Sequence, residues 1–317
     1  MAVPESATLF LERQIERLRR IPEPKRIVFP ESSDPRTRAA AERLAREGLV
    51  EPILLEIEPT TATKYAGLYF ERRQTKGVTW IEAEEIAHVP LYYAALMVAA
   101  GDAEGAVAGA VNTTADTVRA ALQCIGPAPG VHTASGVFFM CVQDRTFGHE
   151  GVLAFADCAL TIEPSAVEIA EIAVATAQST RTVIGAEAKV ALLSFSTKGS
   201  AKHPSVEKTL EALQIIRERS PDLDVDGELQ SDAALVASIG ASKASGSSVA
   251  GRANTLIFPN LASANIAYKL VERLGGAAAY GPFLQGLAKP INDVSRGCSA
   301  DDIYAAAIVT ALQSERM

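Results

Sequence analysis

A chain of 317 residues with 48% hydrophobic content has material for two domains or one large core and is incompatible with disorder. Its net charge of −8 at pH 7 argues against a nucleic-acid binder, which would carry a basic face, while a few local arginines could still receive a small anionic substrate. No run approaches the roughly 18 apolar residues of a membrane span, and Met1–Arg20 reads as a surface helix capped near Ser6 rather than a signal peptide.

In chain order, a strand at Arg26–Pro30 leads to a helix at Pro35–Glu47, then a strand at Pro52–Glu56 and a helix at Glu82–Ala100. A strand at Gly105–Val111 precedes a helix at Thr114–Gln123. Strands at Gly136–Val142 and Gly151–Ala156 are followed by a helix at Ser165–Ser179, a strand at Lys189–Phe195 and a helix at Val206–Arg219. Strands at Asp224–Gly227 and Thr255–Pro259, a helix at Ala262–Leu274, a strand at Ala277–Gly281 and a helix from about Ala300 to Ser314 complete the series. This alternation predicts an α/β protein with mostly parallel sheets. The strands lack polar alternation, as expected for burial on both faces. Gly126–Gly130 reads as a domain hinge, and Ser242–Gly251 as either a mobile surface loop or a backbone-rich ligand loop.

Several motifs are excluded. There is no G-x-G-x-x-G fingerprint and no G-x-S-x-G elbow. Thr197-Lys198-Gly199-Ser200 lacks the upstream glycine of a phosphate loop and has its Lys-Gly order reversed. Asp222 to Gly227 matches half of an EF-hand loop, but the position that must supply a bidentate Glu is Ala233. His88, His132, His149 and His203 are scattered, so a histidine-based zinc site is not expected. Cys124, Cys141, Cys158 and Cys298 form no C-x-x-C pair, and reduced thiols in a cytoplasmic protein are expected.

The segment from Lys289 to Asp302 concentrates a hydroxyl, a guanidinium, a thiol and carboxylates around Gly297, immediately before an apolar helix. A helix start offers unpaired N–H groups suited to anions, and Arg296 adds a planar fork matched to phosphate. Ser299-x-x-Asp302 has the form of a capping box. Asp302 is therefore either a cap partner or a proton acceptor. The helix dipole favours the ionised form of a carboxylate placed there, so a base in that position would need burial. Cys298 could be a nucleophile, though no histidine neighbours it. Arg119 lies on the hydroxyl-dense turn Asn112–Arg119, either a phosphate nest or an ordinary capped helix. Arg73 lies in a charged run that could simply be solvated.

Read together, these pieces resemble the phosphate acetyltransferase (phosphotransacetylase) family. The matching segments are Phe29-Pro30-Glu31, Lys76–Thr79, Asn112–Arg119, Phe155–Asp157, Ser194–Lys202, Asp226–Ala234, Asn265–Lys269, Tyr280–Pro282 and Gln285–Asp302, in family order across nearly the whole chain. The resemblance implies reversible acetyl transfer between acetyl phosphate and coenzyme A. It implies a homodimer of chains with two α/β domains and a cleft between them, an architecture like that of isocitrate and isopropylmalate dehydrogenases. The first domain would be discontinuous, 1–131 plus 285–317, and the second would be 132–284. Coenzyme A is a substrate, and no cofactor or metal is implied. By resemblance, Asp302 is the general base toward the coenzyme A thiol, and Ser295 hydrogen-bonds the thiol or acyl group. Arg296 neutralises charge on the carbonyl oxygen and phosphate, and Arg119 and Arg73 bind phosphate and coenzyme A. Cys298 matches a cysteine that is not the nucleophile. One departure is a stretch of about a dozen residues between Glu56 and Tyr69 where the family carries a longer excursion, which bears on whether Arg73 reaches the substrate. The rival readings are a phosphobutyryl- or propionyl-preferring acyltransferase, a non-catalytic acetyl-coenzyme A sensor, and a dehydrogenase using Asp222, Asp224, Asp226 and Asp232 for magnesium.

Overall fold

The computed structural model describes residues 3–315. Ten strands form among them: β1 (Lys25–Phe29), β2 (Val50–Leu54), β3 (Gly105–Ala108), β4 (Ser135–Cys141), β5 (Val152–Ala156), β6 (Val190–Leu193), β7 (Val225–Leu229), β8 (Thr255–Ile257), β9 (Ala278–Gln285) and β10 (Ile291–Asp293). The chain divides into two compact units. One comprises the chain up to Glu12 with Val131–Gly286, the other Arg13–Gly130 with the chain from Leu287 onward.

The second of these units is built on a four-stranded, all-parallel sheet in the order β10-β3-β1-β2. Strands β3 and β10 are buried throughout and β1 over Ile27–Phe29, as parallel strands covered by helices are, whereas the edge strand β2 is only partly covered. The final helix, Ala300–Ser314, is buried continuously from Ile303 to Gln313 and is a core element rather than a surface one. The expected helix over Glu82–Ala100 is two helices, Trp80–Ala87 and Pro90–Ala100. Pro90 has no N–H to continue the first and holds Val89 in an extended conformation (ψ 120°). The stretch after Glu56 forms a helix, Pro59–Arg73, that the pattern did not suggest. Glu58 caps it by accepting from the N–H groups of Thr60 at 3.1 Å and Thr61 at 2.6 Å. Strand β10 was likewise unexpected, since three residues give no periodicity.

The other unit carries a six-stranded mixed sheet in the order β7-β6-β8-β5-β4-β9. Strands β5 to β8 pair in parallel, whereas β4 is antiparallel to β5 and β9. Two boundaries differ from the expectation of 1–131 plus 285–317. The chain up to Glu12 groups with Val131–Gly286 because Phe10 packs against Phe139 and Tyr280, with ring centroids 6.0 and 5.3 Å apart, and Ser6 donates to the Val142 carbonyl at 2.7 Å. Gln285 stays in the same unit because its buried amide is satisfied there, donating to Ser135 at 2.9 Å and Thr176 at 2.7 Å and accepting from Ser179 at 2.8 Å. The Ser242–Gly251 stretch lies at the surface, with Ser242, Lys243, Ser245, Gly246 and Ser248 exposed, and is anchored at three points. Ala244, Val249 and Ala250 bury into the core cluster of this unit.

Candidate active site

The unit with the four-stranded sheet collects chemistry at the carboxyl ends of β1, β3 and β10. From each end the chain turns into a helix: Pro35–Arg46 after β1, Thr114–Ala120 after β3, and Ala300–Ser314 after β10. The chain leaves β1 toward β2 on one side, while β3 and β10 lie on the other. That reversal is where α/β sheets place ligands.

Glu31 closes the gap between the β1 and β3 loops. Its Oε1 accepts from the N–H groups of Gly109 (3.1 Å), Val111 (3.0 Å) and Asn112 (2.7 Å) and from the Asn112 amide (2.8 Å), while Oε2 accepts from the Ala110 N–H at 2.7 Å. Gly109 is required there. At φ +101° a Cβ would lie 2.3 Å from both Asp293 Oδ1 and the Val294 carbonyl.

Asp293, the last residue of β10, is buried. Its Oδ2 accepts from the Thr114 hydroxyl at 2.6 Å, and its Oδ1 has no partner. Burial pushes this carboxyl up to about 6, against hydrogen bonds from Thr114 and Thr117 and with help from the Glu31 charge.

Beyond Asp293 the loop is held at several points. Val294 N–H donates to the Ala108 carbonyl at 2.8 Å, Cys298 N–H to the Ser295 carbonyl at 2.8 Å, and Gly297 N–H to Ser295 Oγ at 3.2 Å. Arg36 binds the same loop from beneath. Its Nη1 donates to the carbonyls of Arg296 at 2.8 Å and Cys298 at 3.0 Å.

Asp302 forms the capping box suggested by its spacing. Its Oδ2 accepts from the Ser299 N–H at 2.8 Å and hydroxyl at 2.9 Å, and Ser299 Oγ accepts from the Asp302 N–H at 3.2 Å. Asp302 is exposed, as are Ser295 and Arg296. The neighbouring Asp301 pairs with Arg43 at 2.9 Å. Cys298 is buried, and that burial pushes its thiol up despite the Arg36 guanidinium 3.9 Å away. A thiol held protonated is a poor nucleophile.

Ser295, Arg296 and Asp302 thus share the turn after β10. Arg119 and Arg73 form a second group around Tyr92. Arg119 pairs with Asp116 at 2.6 Å. Arg73 ends its helix with Nε buried and without a hydrogen-bond partner. Both guanidiniums act on the Tyr92 hydroxyl, which burial nevertheless raises. Tyr92 and Tyr69 both donate to Gln123 Oε1, at 3.2 and 2.7 Å. The Thr114–Asp293 hydrogen bond ties the helix bearing Arg119 to the strand that leads into the Ser295 turn. Sequence reasoning missed Glu31, Asp34, Arg36 and Asp293 as site residues. Asp34-Pro35 did carry a signal, a cap residue followed by proline at the first helical position.

In the other unit, the Ser194–Lys202 segment wraps a buried carboxylate. Glu228 Oε1 accepts from Ser196 Oγ and the Gly199 N–H, both at 2.8 Å. The acids weighed for magnesium are largely ion-paired: Asp224 with Lys189, Asp226 with Lys198 and Arg217, and Asp232 with Lys243. Among the described residues, no group of three or more His, Cys, Asp or Glu is arranged to hold a metal ion, and no helix is long and apolar enough to cross a membrane.

A family model described as phosphate acetyl/butaryl transferase matches residues 9–311. The chain is 44% identical to a phosphate acetyltransferase of Acetivibrio thermocellus, over 96% of this chain and 98% of the relative. It is 46% identical to a phosphate acetyltransferase of Paracoccus denitrificans, over 92% and 95% respectively. The crystal structure of a phosphotransacetylase from Streptococcus pyogenes superposes with a TM-score of 0.91 at 42% identity, covering all of both chains. With matches of this extent in both sequence and fold, the chain belongs to the phosphate acetyl/butaryl transferase family of acyltransferases.

Proposed function

We propose that this chain transfers an acetyl group reversibly between acetyl phosphate and coenzyme A, in a ternary complex, with Asp302 as general base and no cofactor or metal. The observation that carries the reading is the way Asp302 is held. Its Oδ2 is fixed by Ser299, while Oδ1 has no hydrogen-bond partner among the described residues. Capping and proton acceptance therefore use different oxygens of one carboxylate and do not exclude each other.

A thiol with an ordinary pKa near 8.5 is mostly protonated at neutral pH. Asp302 is exposed in the free chain, so the burial that a base at this helix start needs comes with the bound substrates. There it removes the proton as sulfur attacks the acyl carbonyl, a contribution of about 10²–10⁴-fold. The carbon–sulfur bond forms, the carbon–oxygen bond to phosphate breaks, and phosphate departs. Ser295 and the Arg296 guanidinium, which has no hydrogen-bond or ion-pair partner among the described residues, receive the charge that grows on the carbonyl oxygen. Donors so placed are worth about 3–4 kcal/mol. Arg119 and Arg73 hold the anionic parts of the substrates. Arg119 would exchange its partly exposed pairing with Asp116 for a phosphate.

The test is Asp302→Asn beside Ser299→Ala. Asp302→Asn should lower kcat by about 10²–10⁴-fold with little change in KM, whereas Ser299→Ala should cost about 1 kcal/mol of stability and far less turnover. Near-normal turnover in Asp302→Asn would leave only the cap.

A second reading concerns the acyl chain, because the matching family model spans acetyl and butaryl transfer. Preference for acetyl over butyryl phosphate by roughly 10-fold or more in kcat/KM supports the acetyl reading; the reverse order assigns the longer acyl group. A cytoplasmic homodimer completes the proposal. Four free, buried cysteines support the first term. The exposed stripe Ile266, Leu270 and Leu274 on the helix Leu261–Arg273 and its C-cap supports the second. The solution mass measured by sedimentation tests the dimer.

A further inference from the structure

We propose that Arg36 is the positioning residue of this site: its guanidinium locks the Ser295–Cys298 turn onto the β1 and β3 loops and does not bind substrate. A guanidinium has five N–H donors in a rigid planar fork. All five are engaged by protein acceptors. Nε donates to Asp34 Oδ1 at 3.1 Å and Nη2 to Asp34 Oδ2 at 2.8 Å. Nη2 also donates to the Ala110 carbonyl at 2.7 Å, and Nη1 to the carbonyls of Arg296 at 2.8 Å and Cys298 at 3.0 Å. One side chain therefore ties together the loops after β1, β3 and β10.

The support for Arg36 is itself fixed. Asp34 receives the fork on both oxygens and also caps the helix, accepting from the N–H groups of Arg36 at 2.8 Å and Thr37 at 3.4 Å. Glu31 holds the other side, gathering the N–H groups of Gly109 to Asn112. An arginine beside an anion site is ordinarily read as a phosphate ligand. Here the donors are saturated, and the guanidinium of this turn without a partner among the described residues is that of Arg296, whose backbone Arg36 holds. A misplacement of about 1 Å in such a group costs roughly 10²-fold in rate. Lysine does not reproduce the fork, because three donors on a single nitrogen cannot serve five acceptor contacts spread over three nitrogens.

The activity arm of the test rests on the acyl-transfer reading above; the backbone arm does not. Arg36→Ala and Arg36→Lys are compared with wild type for thioester formation from acetyl phosphate and coenzyme A, with and without added guanidinium ion at tens of millimolar. Backbone hydrogen exchange of Gly297 and Cys298 is measured in parallel. We expect kcat to fall roughly 10- to 100-fold in both variants, KM for both substrates to stay within about 3-fold, and guanidinium to restore part of the alanine variant's turnover. The Gly297 and Cys298 amides should exchange at least about 10-fold faster in both variants. Unchanged exchange rates in a folded variant overturn the proposal, as does a loss confined to KM, which would make Arg36 a substrate ligand. If wild type shows no acyl transfer, the functional reading fails, while the exchange data still decide the role of Arg36.

Discussion

Asp293 gives the most direct handle on the electrostatics of this site. It is 2% exposed, one carboxylate oxygen bonds the Thr114 hydroxyl and the other has no partner, and its pKa is pushed from 3.8 to about 6. In the unfolded chain an aspartate titrates near 3.9. The folded protein therefore holds this proton more tightly than the unfolded chain does. The associated stabilisation is complete below about pH 4 and is lost as pH rises through about 6. At about 1.36 kcal/mol per pH unit, the gap of roughly two units is worth about 3 kcal/mol. Asp293→Asn removes the titration, and its buried amide adds only a pH-independent offset. Urea unfolding of wild type and variant across pH 4 to 8, followed with an exchange-protected amide of β10 because two units need not unfold together, isolates the difference. The stability of the variant relative to wild type should improve by about 3 kcal/mol between pH 4 and pH 7.5. A difference that stays flat over that range would show that Asp293 is not held protonated by burial, and the reasoning would be wrong.

Three further outcomes follow from the same geometry. Glu31→Gln turns one acceptor oxygen into a donor facing backbone N–H groups, and should lower stability by about 1–3 kcal/mol with faster amide exchange at 109–112; unchanged protection there would refute the nest. Gly109→Ala must place a Cβ 2.3 Å from Asp293 Oδ1 at a backbone φ of +101°. It should cost about 2–6 kcal/mol by denaturant unfolding, and a neutral effect would mean the loop adjusts freely. Cys298→Ala should retain turnover within about 3-fold, since a buried, protonated thiol has no part in the acyl transfer; abolished activity in a folded variant would point to an acetyl-enzyme.

Much of this chain could be read directly. Apolar runs between polar turns marked most of the ten strands, because the covered positions of a strand are mainly apolar; β7, which buries Asp226 and Glu228, is the exception. Local caps were equally legible. Ser299 and Asp302 meet because a capping box needs only a three-residue spacing, and Asp34-Pro35 announces a helix start for a similar reason. What failed were elements without a local pattern. Strand β10 has three residues and exists because Ile291, Asn292 and Asp293 find partners at Ala106, Val107 and Ala108. The Pro59–Arg73 helix has a mixed face, and its stability comes from Tyr65 and Tyr69 burying against neighbours rather than from its own periodicity.

The sequence by itself determined the α/β class, the helix caps and the concentration of Ser295, Arg296 and Asp302 in one turn, because all of these depend on residues within a few positions of each other. Only the tertiary structure decided which oxygen accepts from which donor. Glu31 meets amides 78 to 81 residues away, and Arg36 reaches carbonyls 260 and 262 residues away. Parallel strands bring their carboxyl ends together across long crossovers, so the partners that stiffen the site are set by sheet order, which no short stretch of sequence encodes.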